Sequence, residues 1–250
     1  MVTREDVVSF LNEYLHSAEI PDASFNGLQV EGCARVRKIV FGVSAGLELF
    51  KRAKAAGADM IVVHHGLLWG KEQPLTGLFG RRVSFLLQNQ ISLLGYHLPL
   101  DKHPVIGHNA LLLQALGARN VRPFGVYHGQ EIGFCGEIRA VSLRTAAGKL
   151  ERLCGAKAFA LPYGSKEICT VGAVSGGGWS MLTDAINEKL DLFVTGSLDE
   201  PVQELCREGK INCLALGHYN SEKPGVLALM DLVHKEFGVE TEFIDIKNPI

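Results

Sequence analysis

No CxxC pair occurs among the six cysteines, Cys33, Cys135, Cys154, Cys169, Cys206 and Cys213. Neither a zinc ribbon nor a thioredoxin-like dithiol is therefore indicated, and the thiols read as reduced and mostly structural, as in a cytoplasmic protein. Charge of either sign is not concentrated: 25 Lys and Arg stand against 27 Asp and Glu, for a net charge of -2. Without a basic arm, nucleic acid is not an expected partner. No apolar run is long enough to cross a bilayer, so no membrane role is expected. The opening "MVTREDVVSFLNEYL" has acidic residues where a signal peptide needs an apolar core. Three motifs are also missing: GxxxxGK[ST], GxGxxG and the G-x-S-x-G elbow.

What remains is a globular chain of 250 residues, 47% apolar and 21% charged, long enough to bury a sizeable core. The N-terminal stretch predicts a helix, with Thr3 and Asp6 spaced as a capping box and Val7, Phe10, Leu11 and Tyr14 at helical period. Short apolar runs then alternate with amphipathic segments, the pattern of an α/β protein. "RKIVFGVSA", "GLELFKRAKAAG", "ADMIVVHH" and "ISLLGYH" read as strand, helix, strand, strand, and "ICTVGAVSGG", "SMLTDAINEKL", "DLFVTGS" and "INCLALGH" repeat that order. The likeness reaches single residues, "VFGVSAG" against "VGAVSGG" and "ADMIVV" against "LDLFVT", which reads as an internal duplication. The expected division is a first repeat over 1–126 and a second over 127–250, with Tyr127 to Lys166 as the connection and the opening of the second.

Chemistry is suggested where the strands end. "GADMIVVHHG" runs a buried strand into His64 and His65. "HLPLD" and "HYNSE" fall on each other in the repeat, each a histidine followed four residues later by a carboxylate: His97 with Asp101, and His218 with Glu222. In open α/β sheets ligands gather beyond the carboxyl ends of strands, and imidazole with carboxylate suits Zn, Mn, Fe or Co. Side chains alternate along a strand, so one metal could take both His64 and His65 only at a sharp bend. Two metals relieve that demand, with a carboxylate such as Glu222 able to bridge them. His16, His128 and His234 read as ordinary polar residues. His103 and His108, in "DKHPVIGHN", are either supporting hydrogen-bond donors or turn residues. The loop "SGGGWS" is either an anion cradle or a tight turn, and Asp199 and Glu200 read as a solvated helix start.

Taken together, "NGLQVEG", "ADMIVVHHGLLWG", "HLPLDKHPVIGHN", "VTGSLDE" and "GHYNSEKPGV" resemble the Nif-three-like dinuclear-metal family, whose bacterial members are often labelled GTP cyclohydrolase type 2 homologues. The resemblance spans essentially the whole chain. It implies a duplicated fold of three-layer α/β/α repeats, a homo-hexamer built as a trimer of dimers, and two divalent metal ions per subunit. Carried over by position, it implies that His65 and Asp101 hold one metal, His64 and His218 the other, and that Glu222 bridges both. His97 then stands beside the metals as the candidate catalytic residue. The family often has an acidic residue after "TG", where this chain has Ser197, Leu198 and Asp199.

Two functions fit this reading. One is a metal-dependent hydrolase acting on a small molecule or nucleotide, GTP by the family's label, with His97 moving protons. The other is a non-enzymatic metal-holding ring or scaffold for protein partners.

Overall fold

Local signals in the chain set most of its elements, beginning with the first helix. In the computed structural model, which describes residues 2–250, Thr3 Oγ1 accepts from the Asp6 amide and Asp6 Oδ2 from the Thr3 amide, both at 3.1 Å. That capping box starts α1 (Arg4–Tyr14), just after the short strand β1 (Val2–Thr3). The chain continues through β2 (Gly27–Val30), β3 (Arg35–Val36), β4 (Lys38–Ser44), α2 (Leu47–Ala55), β5 (Met60–His65), α3 (Gly77–Gln88), β6 (Ser92–Gly95) and α4 (Leu98–Asp101). Next come α5 (His108–Leu116), β7 (Arg119–Tyr127), β8 (Gln130–Val141), α6 (Leu143–Cys154), β9 (Phe159–Pro162), β10 (Ile168–Val174), α7 (Leu182–Asn187), β11 (Leu192–Thr195), α8 (Val202–Gly209), β12 (Asn212–Ala215) and α9 (His218–Ser221). Helix α10 (Lys223–Phe237) and strand β13 (Glu240–Phe243) close the chain.

These elements form two compact units: residues 1–100 with 226–247, and residues 101–225 with 248–250. The first carries a five-stranded sheet in the order β13-β4-β5-β6-β2, parallel except for β2. Val40, Ile61, Val63 and Leu93 from this sheet pack with Leu49, Phe50 and Leu86 of its helices in an apolar core. The second carries a six-stranded sheet in the order β7-β8-β10-β11-β12-β9, in which β10, β11 and β12 are parallel. Its core gathers Leu112, Leu116, Leu150, Val171, Leu192 and Leu214.

The expected repetition is present as β4–α2–β5–α3–β6 in one sheet and β10–α7–β11–α8–β12 in the other. It extends to a matching pair of carboxylates. Before β5, Asp59 Oδ2 accepts from the amides of Arg37 and Lys38, at 2.8 and 3.3 Å. Before β11, Asp191 Oδ2 accepts from the amides of Cys169 and Thr170, at 2.8 and 2.9 Å. Each carboxylate ties the entrance of one parallel strand to the entrance of the next.

The division between residues 126 and 127, by contrast, falls inside β7. That strand pairs with β8 from Arg119↔Glu137 to Tyr127↔Gln130. The two turn residues, His128 and Gly129, have φ of 47° and 79°, the positive values that a two-residue hairpin requires. The connection is thus a hairpin within the second unit, and the last helix and strand return to the first. Among the described residues no helix is long and apolar enough to cross a membrane. Replacing Asp191 with alanine leaves two amides short of an acceptor and should lower the unfolding free energy by roughly 1–3 kcal/mol in urea titration. An unchanged midpoint would mean that the carboxylate contributes nothing to the sheet.

Candidate functional site

In the first unit the ladder between β5 and β6 ends at Val63↔Gly95, while β5 stays paired with β4 as far as Ser44↔His65. His64 and His65 thus leave the sheet on one side only. Although adjacent in a strand, their ring centroids lie only 4.5 Å apart, and His97, just after β6, is 5.1 and 5.7 Å from them. One ring nitrogen from each of the three lies within 4.8 Å of the others. Side-chain alternation, which would separate the pair, is therefore overridden at the strand end.

The tautomers follow from the partners. His64 is fully buried and its Nδ1 lies 2.9 Å from the Tyr96 carbonyl oxygen. A carbonyl only accepts, so Nδ1 carries the proton and the lone pair of the neutral ring is at Nε2. His65 Nδ1 is 3.1 Å from Ser44 Oγ. His97 Nδ1 is held by both oxygens of Asp22, at 3.0 and 3.1 Å. The rings of Trp69 and His97 meet edge to face with centroids 5.0 Å apart, and Trp69 donates from Nε1 to the Gly66 carbonyl.

Asp22 is itself tightly surrounded. Its side chain is 2% exposed against 19% for His97. Its oxygens also accept from the amides of Ser24 and Leu98 and from Asn26 Nδ2, while Asn26 Oδ1 accepts from the His97 amide at 2.7 Å. Burial alone would raise its pKa. The hydrogen bond and charge of His97, with the bonds from Ser24 and Asn26, outweigh that and hold Asp22 at about 2, below its ordinary 3.8.

In the second unit His218 opens α9 after β12, and its Nε2 is 3.2 Å from Oε1 of Glu222, which is 3% exposed. The glycine loop presses its backbone on this pair. A Cβ on Gly176 would stand 2.2 Å from Glu222 Oε1 and 3.1 Å from His218 Nε2, at a φ of 59°. Both the conformation and the space demand glycine there, so the loop is a close-approach turn. Ser221 Oγ accepts from the Gly176 amide at 3.0 Å and donates to the His218 carbonyl at 2.9 Å, clamping loop to helix. Ser197 donates from its amide to the Gly176 carbonyl at 2.9 Å. Asp101 is buried and accepts from Ser175 Oγ at 3.1 Å. Asp199 and Glu200 are exposed ahead of α8.

These buried His, Asp and Glu groups can hold a metal ion. The donor chemistry fits: an imidazole with its lone pair fixed on one nitrogen by a backbone carbonyl is the usual arrangement of a histidine ligand.

The profile of the family described as Duf34/NIF3 (NGG1p interacting factor 3) matches residues 2–249. This chain belongs to that family. A curated relative from Archaeoglobus fulgidus, named a GTP cyclohydrolase 1 type 2 homolog, is 44% identical over 241 residues, covering 96% of this chain and 97% of its own. Among solved structures, a protein called ybgI, described as of unknown function, is 35% identical and superposes with a TM-score of 0.92 over 100% of both chains. TTHA1606 from Thermus thermophilus gives the same identity, TM-score and coverage.

Three supporting residues of this Duf34/NIF3 chain escaped the sequence reading. Asp22 and Asn26 orient His97. Gln29 accepts from the Leu67 amide at 2.6 Å and donates to the Phe25 carbonyl at 2.6 Å, fixing the chain after His65. A Cβ on Gly66 would strike its amide at 2.2 Å. Asn26 and Gln29 lie in "NGLQVEG", a motif whose polar residues had no assigned task. His103 turns out to cap its own loop, Nδ1 accepting from the amides of Val105 and Ile106.

Because folding depresses its pKa, Asp22 contributes stability above pH 4 that is lost as pH falls toward 2, about 2 kcal/mol for a shift of this size. The gap in unfolding free energy between wild type and Asp22→Asn should therefore be widest near neutrality and shrink toward pH 2 in urea titrations. A gap independent of pH would contradict this.

Proposed function

We propose that the chain is a divalent-metal-binding protein with a dinuclear centre, held by His64, His65, Asp101, His218 and Glu222, and that it acts as a metal-dependent hydrolase of the GTP cyclohydrolase type 2 kind. The observation that carries the reading is the bond from His64 Nδ1 to the Tyr96 carbonyl. A fully buried imidazole with its lone pair committed to Nε2 is prepared for a cation. The buried carboxylates of Asp101 and Glu222 support the same reading, since an ionised carboxylate removed from water needs counter-charge. The names of the curated relatives support the hydrolytic part.

Imidazole nitrogen with carboxylate oxygen suits Zn, Mn, Fe or Co. Ions bound there supply Lewis acidity and neutralise developing negative charge. Five protein ligands shared by two ions leave coordination positions for water or substrate, as in catalytic rather than structural sites. Within the chain itself, His97 turns Nδ1 to Asp22, which leaves Nε2 to take and return a proton. Asp22 orients that ring, the part a buried carboxylate plays behind a general base. Trp69 packs against the ring and limits its swing.

Metal-loaded protein incubated with GTP should release formate. His97→Ala should retain its metal while formate release falls by about 10²–10⁴-fold. Release unaffected by His97→Ala would remove the proton-transfer role. Metal-loaded protein inert toward GTP, other nucleotides and phosphoesters would leave a metal-holding ring or partner scaffold as the better reading.

A further inference from the structure

Several hydrogen bonds of the second unit converge on Ser175, the residue that follows β10. Its amide donates to Asn109 Oδ1 at 2.6 Å and its carbonyl accepts from the Gly178 amide at 3.2 Å. The next amide, that of Gly176, donates to Ser221 Oγ at 3.0 Å. Asn109 is itself fully buried on α5, and its Nδ2 donates to the Ile132 carbonyl at 2.8 Å. An amide N–H only donates and a carbonyl only accepts, so these partners settle which end of the Asn109 side chain is oxygen. The serine backbone is thereby pinned to β8 and α9, and only χ1 remains to place the hydroxyl.

That hydroxyl lies 3.1 Å from Asp101 Oδ1, and both residues are buried. An ionised carboxylate has no hydrogen to give, so Ser175 is the donor. Asn109 also brings Nδ2 within 3.4 Å of the Asp101 carbonyl, so one asparagine braces the backbone of donor and acceptor alike. A carboxylate on a short side chain can turn about χ1 and χ2, and a fixed donor on one oxygen restricts both.

We infer that Ser175 is a positioning residue of the metal centre: its hydroxyl, set in place by Asn109, orients the Asp101 carboxylate toward its cation. The inference deepens the proposed function and rests on it for the cation; the bond from Ser175 to Asp101 does not depend on metal. Groups that orient a metal ligand in this way change affinity by about 10–100-fold when removed.

Crystal structures of metal-free wild type and Ser175→Ala read the orientation directly. The Asp101 carboxylate is expected to keep one rotamer in wild type and to turn, or to divide between rotamers, in the variant. A carboxylate unmoved in Ser175→Ala would overturn the inference. Zinc affinity is then compared by competition with a chromophoric chelator in wild type, Ser175→Ala and Ser175→Thr, the last retaining the hydroxyl. The expected result is about 10–100-fold weaker binding of one zinc in Ser175→Ala, with the other zinc unaffected and most of the loss recovered in Ser175→Thr. Equal affinity in all three would overturn the inference. So would equal loss in both variants, because the hydroxyl would then not be the cause. Weakening of both zincs together with a lower urea midpoint would overturn it too, as the mark of a merely structural serine. Wild-type protein that binds no zinc counts against the proposed function instead, and the crystal comparison alone then decides this inference.

Discussion

A single hydrogen bond, from His64 Nδ1 to the carbonyl of Tyr96, links the chemistry of the first unit to its sheet. It forms because β5 and β6 are parallel neighbours whose last ladder pair, Val63↔Gly95, leaves His64 and Tyr96 beside each other just past the sheet. Everything that makes the tyrosine carbonyl immobile therefore makes the imidazole immobile. The Tyr96 amide donates to the Val63 carbonyl, and its hydroxyl donates to Asn12 Oδ1 at 2.9 Å. Burial pushes the Tyr96 phenol well above its ordinary range, so the hydroxyl stays a donor. The core beneath is close-packed from aliphatic and aromatic side chains with few ways to rearrange. A ligand held this way costs little conformational entropy when it meets a cation.

The second unit reaches a similar result by different means. There the backbone approaches the side chains, through glycines that leave no room for a Cβ. Gly176 lies against Glu222 and His218, Gly196 against the Gly176 backbone and Ser221 Oγ, and Gly225 against the ring of His108. At Gly225 the approach makes the amide a fixed partner of His108, and at Gly176 a fixed partner of Ser221 Oγ. The two units thus share a sheet plan, including the carboxylates of Asp59 and Asp191 at matching strand entrances, while their histidines are steadied by different contacts.

Much of this was legible in the sequence because it is written in local patterns. The β-branched run Ile61 to Val63, the repeat of strand, helix and strand, and the Thr3–Asp6 cap depend on neighbours in the chain, and the structure shows all three. The clustering of His64, His65 and His97 was legible because all three follow strand ends. Less visible were contacts that join distant segments. Asp22 reaches His97 across 75 positions and Gln29 reaches Leu67 across 38, and no periodicity signals either. The hairpin at His128 and Gly129 was missed because histidine is an unusual residue to take positive φ at its first turn position. The return of α10 and β13 to the first sheet was invisible for a related reason. Parallel pairing of Glu240 to Phe243 with Lys38 to Phe41 leaves no local mark, although Lys38 lies within 2.8 Å of carboxylate oxygens of Glu240 and Glu242 once the strands meet.

The central claim is the proposal that His64, His65 and His218, with the buried carboxylates of Asp101 and Glu222, hold metal. Elemental mass spectrometry tests it most directly, on protein purified without a chelator or an affinity metal column, beside a His64→Ala/Glu222→Ala variant. The account predicts about two divalent ions per chain in the parent, as expected of a two-metal site, and almost none in a variant that remains folded. Parent protein that stays metal-free after incubation with Zn, Mn and Fe would contradict it.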